Sequence, residues 1–158
     1  MHANQPLTED LGFLLSRASG VLARSASEAL APLGLRVRSY SVLDLVGEDG
    51  GGVTQRRLAA TMGLDPSQIV ALVDDLESRG LVTRTPDPAD RRNKLIVNTE
   101  QGHRLRGEAQ QQVEQAHIGY FARISQSDLD RLRRLLQQIA FPDGTSTAQT
   151  AEPSTAGE

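Results

Sequence analysis

Asp90-Arg91-Arg92-Asn93-Lys94 is a dense cluster of charged side chains, and the chemistry it offers is recognition of negative charge. Asp90 and Arg92 stand two residues apart, so on an extended segment they share a side. In that register Asp90 is expected to hold the Arg92 fork. Less rotamer freedom is then lost when the guanidinium enters a narrow, electronegative groove of duplex DNA. Arg84, Arg91 and Lys94 add positive charge suited to phosphate. The plainer reading is a solvated hairpin carrying a surface ion pair, which contributes little to stability. Three further basic residues on one short segment weigh against it.

A second constellation lies upstream. Asp65-Pro66-Ser67-Gln68 reads as a helix start, with Asp65 or Ser67 as cap and Pro66 at the first helical position. The buried stripe of that helix is Ile69, Leu72, Val73 and Leu76, which leaves Ser67, Gln68, Val70 and Ala71 on other faces. Gln can pair with adenine, Ser can serve a base or a phosphate, and Val70 and Ala71 offer apolar contact to thymine methyls. Arg56 and Arg57, near the start of the preceding helix, are candidates for phosphate contact. Capping and surface duty are the ordinary explanation for Ser67 and Gln68.

Other chemistries find little support. The chain has no cysteine, which excludes disulfides, thiolate metal sites and a thiol nucleophile within it. His2, His103 and His117 lack metal-ligand spacing, and Gly50-Gly51-Gly52 has no partner lysine of a phosphate loop. No metal, cofactor or catalytic set is expected. Two tyrosines, three phenylalanines and no tryptophan leave little for stacking single-stranded bases. Net charge is −3, yet residues 36–98 balance to zero and the cations gather between 84 and 94. DNA affinity depends on where charge sits, so this distribution matters more than the total.

These residues need elements to position them. Leu11, Leu14, Leu15, Ala18, Val21 and Leu22 recur at helical spacing, with Thr8 as the expected cap and an end near Pro32-Leu33-Gly34. A second helix is expected over Val37 to Val46. Gly47 to Gly52 reads as a loop, and Thr54 caps a short helix that turns at Gly63. The helix opened at Asp65 ends at Gly80. Residues 81–85 and 94–98 read as strands, with Pro86-Asp87-Pro88 holding the loop between them out of regular pairing. A long polar helix then runs to about Arg123. Ser125 with Asp128 suggests the cap of a final helix striped by Leu129, Leu132, Leu136 and Ile139. Residues 142–158 are rich in Ser, Thr, Ala, Gly and Pro and are expected to be disordered.

The order helix, turn, helix, strand, basic hairpin, strand resembles the MarR family of bacterial transcription regulators, from roughly Leu7 to Phe141. The motif words are Ile69 to Arg84 and Asp90-Arg91-Arg92. Asp90 and Arg92 match the Asp-x-Arg pair that such proteins place in the minor groove. The sequence departs from the family where Val70 and Ala71 replace the usual Thr and Arg, and where Arg57 and Asp75 reverse the usual charges. The resemblance implies a mainly α fold with a small β-hairpin, a winged helix-turn-helix flanked by N- and C-terminal dimerisation helices. One domain would span 1–141, with the DNA-reading core at about 36–98 and dimerisation helices at about 8–33 and 99–141. It also implies a homodimer held through Leu11, Leu14, Val113, Tyr120, Leu132, Leu136 and Ile139, bound to a pseudo-palindromic duplex operator. Phe13, Arg17, Tyr40 and His103 are candidates to line a site for a small aromatic or phenolic effector. A repressor relieved by such a ligand is the leading expectation. The alternative is a winged-helix protein-interaction module without DNA binding. With no membrane span or signal peptide in the pattern, a cytoplasmic place is expected.

Overall fold

The computed structural model describes residues 6–142. Six α-helices run in the order α1 (Leu11–Leu30), α2 (Val37–Glu48), α3 (Gln55–Met62), α4 (Pro66–Ser78), α5 (Glu100–Phe121) and α6 (Gln126–Ala140). Three strands join them, β1 (Val53–Thr54), β2 (Val82–Pro86) and β3 (Lys94–Asn98), in the antiparallel order β1-β3-β2. The chain divides into two compact units that part between Tyr120 and Phe121.

In the first unit the core is built from the apolar stripes of several short elements. Leu30, Val42, Leu43, Leu58, Ile69, Val73, Leu76 and Ile96 are each fully buried, and they join α1, α2, α3, α4 and β3 around one centre. Local signals fix where those stripes begin and end. Thr54 accepts the Arg57 N–H at 3.2 Å to start α3, and Gly63 closes it at φ 61°, where a side chain would be strained. The expected Thr8 cap is not used. Asp10 accepts the Phe13 N–H at 2.8 Å instead, because residues 7–9 form a 3-10 turn ahead of α1. The glycine segment holds a further surprise: Val53 and Thr54 leave it as a short strand paired with Ile96 and Leu95, so the expected hairpin is a three-stranded sheet. Pro86 ends β2 opposite Lys94, within the sheet rather than in the loop beyond it.

The start of α5 is bolted to the end of α4. A Cβ built on Gly102 would lie 1.9 Å from the Leu81 carbonyl oxygen, so only glycine allows that approach. Thr99 Oγ1 donates to Gly80 O at 2.7 Å and accepts the Gly102 N–H at 3.0 Å, capping the helix on the same spot. Beside it the buried Asn98 donates Nδ2 to the Leu43 carbonyl at 2.9 Å and ties β3 to α2. Its Oδ1 has no partner among the described residues. Further along, Arg106 pairs with Asp44 at 2.8 Å, and its stem crosses Gly47 where a Cβ would collide.

The second unit contributes α6. Ser125 accepts the Asp128 N–H at 3.2 Å and donates to its carboxylate at 2.6 Å, as the spacing predicts. Leu132, Leu135, Leu136 and Ile139 are exposed along it. The segment expected to be disordered, apart from Pro142, lies outside the described residues.

Candidate nucleic-acid interface

The helix α4 is opened by a reciprocal cap. Asp65 accepts the Ser67 N–H at 2.9 Å and the Ser67 hydroxyl at 2.6 Å, while Gln68 Oε1 accepts the Asp65 N–H at 3.2 Å. The Ser67 hydroxyl, then its N–H, hold the Asp65 carboxyl below its ordinary range. This has a consequence for base reading. A glutamine that recognises adenine both accepts and donates. With Oε1 already accepting from Asp65, Gln68 has its amide donor and one remaining lone pair at hand. One turn on, Val70 and Ala71 are exposed.

The wing is β2, β3 and the tip between them. Asp87 Oδ1 accepts the Ala89 N–H at 2.8 Å, and the Asn93 N–H reaches Asp90 O at 2.9 Å, so two tight turns shape the tip. Asp90 does not hold the Arg92 guanidinium as expected. Its Oδ1 accepts the Arg92 backbone N–H at 3.1 Å and its Oδ2 the Asn93 amide at 3.4 Å, because the segment is turned rather than extended. Arg91, Arg92 and Lys94 are exposed, and among the described residues their side chains have no partner.

Arg84 is placed quite differently from the other wing cations. Its guanidinium points back to the helices, where Nη2 donates to Asp74 at 2.6 Å, Nη1 to Glu77, and Nε and Nη2 to Gln55 Oε1 at 3.2 and 3.0 Å. Glu77 also accepts the Arg84 backbone N–H at 3.0 Å. Desolvation works against its charge, but the hydrogen bonds it donates to Asp74 and Glu77, with the attraction of those carboxylates, outweigh it and raise its pKa above the ordinary value. Arg84 was expected to meet phosphate; here its donors are directed inward. Arg57 is likewise paired, with Asp49, whereas Arg56 is exposed and without a partner among the described residues.

A free cationic wing beside an exposed helix start is the geometry of a duplex-DNA reader, and comparison with known proteins agrees. The MarR family model matches residues 33–93. A solved transcriptional regulator of that family from Rhodococcus sp. RHA1 is 57% identical, with a TM-score of 0.83, over 88% of this chain and 99% of that one. The chain belongs to the MarR family. It is a winged-helix, DNA-binding transcription regulator. CouR from Rhodococcus jostii RHA1, solved with p-coumaroyl-CoA, is also 57% identical, with a TM-score of 0.85 over 90% of this chain and all of that one. The transcriptional repressor CouR on a 23-mer DNA duplex is 30% identical, with a TM-score of 0.74, over 87% of this chain and 99% of that one.

Against this MarR frame the effector candidates do not converge on one hollow. Phe13 and Arg17 line a hollow of about 260 Å³ along α1, with Val21 and Arg24. Tyr40 packs against the core, where burial, then Asp44, push its hydroxyl pKa up. His103 is exposed on α5. A larger hollow, about 520 Å³, went unnoticed in the sequence. Arg36, Arg38 and Arg79 line it together with Gln68, Ala71 and Leu72. The Arg36-x-Arg38 doublet was its one local trace. Of the residues expected at a dimer interface, Leu11, Leu14, Tyr120, Leu132, Leu136 and Ile139 are exposed, whereas Val113 is half-buried against the core.

Proposed function

We propose that this MarR-family regulator is a homodimeric repressor that binds a near-palindromic operator and is released by an aromatic acyl-CoA thioester. The observation that carries the release step is the hollow of Arg36, Arg38 and Arg79. It offers the guanidinium groups of Arg36 and Arg38 to a polyanion, with Arg79 beside them paired to the Asp75 carboxylate that lines the same hollow. Two of its walls, Gln68 and Ala71, belong to the face that α4 presents to bases. A coenzyme A phosphate seated there and a DNA strand would compete for one surface. The p-coumaroyl-CoA bound by a relative 57% identical supports this ligand class. The exposed Leu11, Leu14 and Tyr120 supply apolar surface for a second copy, and two copies set half-sites about 10 bp apart. Arg91, Arg92 and Lys94 meet the minor groove and phosphates, Arg56 a phosphate. As a regulator the protein carries out no catalytic step and works in the cytoplasm.

Fluorescence anisotropy on operator DNA at fixed salt tests it. p-Coumaroyl-CoA should raise the DNA Kd, while free p-coumarate and free coenzyme A act far more weakly. By linkage, operator DNA must weaken the thioester by the same factor. Arg38→Ala should abolish this response. A loss in Arg17→Ala instead would move the site to the α1 hollow, and no response to any of the three ligands would refute the release step.

A further inference from the structure

One guanidinium joins every part of the reading surface. Arg84 leaves β2, the first strand of the wing; Asp74 and Glu77 lie on the reading helix α4; Gln55 is the first residue of α3, next to Arg56 and Arg57. The Arg84 side chain is 24% exposed, against 59% for Asp74. All three nitrogens of the fork are engaged, and its own backbone N–H is held by Glu77. A planar fork can satisfy acceptors in several directions at once, and an ammonium on a flexible stem cannot reproduce that geometry.

We propose that Arg84 is a positioning residue for DNA specificity, fixing the wing, α4 and the start of α3 as one rigid reading surface, rather than a phosphate contact. The charge pattern fits this role. Asp74 is an exposed carboxylate on the reading helix, where it would repel phosphate, and Arg84 neutralises it from behind. The cluster thus sets the angle between helix and wing and removes a repulsion from the same face. This inference rests on the family's DNA-binding role, so wild-type discrimination between operator and random duplex is measured first and stands or falls separately.

The test is the ratio of operator to random-duplex affinity, with the salt dependence of each, on the full chain well below its melting temperature. Arg84→Lys keeps the charge and loses the fork. Positioning predicts about a ten-fold fall in the ratio with the salt slope unchanged. Glu77→Gln keeps Arg84 and removes one negative charge, so any loss of operator affinity it causes is not lost electrostatic attraction, and it should lower the ratio as well. The Arg84→Lys/Glu77→Gln double variant should lose no more than the worse single variant. A phosphate contact predicts the opposite: Arg84→Lys behaves as wild type, and Arg84→Met loses about one ion from the slope on both duplexes. That result overturns the proposal. So does a fall in melting temperature with an unchanged ratio, which would make the cluster a bolt for stability alone. Should Arg84→Lys fail to fold, Glu77→Gln and Asp74→Asn carry the same readout.

Discussion

The reading helix and the wing tip face the same ligand with opposite arrangements of charge. On α4 nearly every polar group is already bonded within the protein: Ser67 and Gln68 to Asp65, Asp74 and Glu77 to Arg84, Asp75 to Arg79 at 3.7 Å. At the wing Arg91 and Arg92 project from turns held by the Asp87 and Asp90 carboxylates and by backbone bonds, and Lys94 from the start of β3, all three without side-chain partners among the described residues. The helix is therefore preorganised in shape and poor in free charge, and the wing is the reverse. In the proposed interface, electrostatic affinity for DNA comes from the wing, Arg56 and the exposed Arg36 and Arg38, with selection by shape and apolar contact falling to α4.

Damage beneath the reading helix should cost the fold, and damage at the wing should cost only DNA. Gly102→Ala, which drives a methyl into the Leu81 carbonyl, should destabilise at or above about 3 kcal/mol, read by thermal or denaturant melting. Gly107→Ala on the same helix meets nothing within 4 Å and should be neutral or stabilising by up to about 1 kcal/mol. Equal effects at the two glycines would contradict the joint between α4 and α5.

Arg92→Ala should weaken operator binding by about 1–3 kcal/mol and lower the salt slope, with melting unchanged. Asp90→Ala should cost less, since it loosens the tip without removing a cation. A large change in melting temperature for either would mean the tip is not separable from the fold.

Gln68→Glu sharpens the comparison further. Glutamate preserves the reciprocal cap, so stability should hold while DNA binding falls through phosphate repulsion and the lost amide donor. Unchanged DNA binding would remove Gln68 from the interface.

The smallest effect concerns pH. Because folding lowers the Asp65 pKa, its contribution is intact at neutral pH and is lost as acid carries the solution through and below about pH 4. Asp65→Asn should therefore show a shallower acid dependence of melting temperature than wild type across that window. Parallel acid curves for the two proteins would show that the cap carries no proton linkage.

Three helix caps were legible in the sequence because their partners lie two or three residues away, Thr54 with Arg57, Asp65 (with Ser67 as the alternative) with Gln68, and Ser125 with Asp128, whereas the α1 cap expected at Thr8 fell to Asp10. Gly63 and Gly80, at φ 61° and 69°, announced themselves for the same local reason. What escaped is non-local. Arg84 finds Gln55 twenty-nine positions back, and no periodicity marks that pair. The strand β1 is two residues long and exists only because β3 offers an edge beside a glycine turn. The arginine hollow draws on α4 and the entry to α2, and Arg79 meets Arg36 and Arg38 only once the helices are packed. The Asp90–Arg92 spacing was read for an extended segment, and the turn at Asn93 changed which atom of Arg92 the carboxylate meets.

Val70 and Ala71 occupy a part of the α4 face where side chains are exposed and bonded to nothing among the described residues. Substitutions at such positions usually alter folding free energy by no more than about 0.5 kcal/mol. A duplicated gene can therefore drift toward a new operator at these two codons without passing through an unstable ancestor. Arg84, Glu77 and Gln55 have no such freedom, because each is useful only while the others remain. Divergence of DNA target among descendants of this chain should be recorded first at 70 and 71.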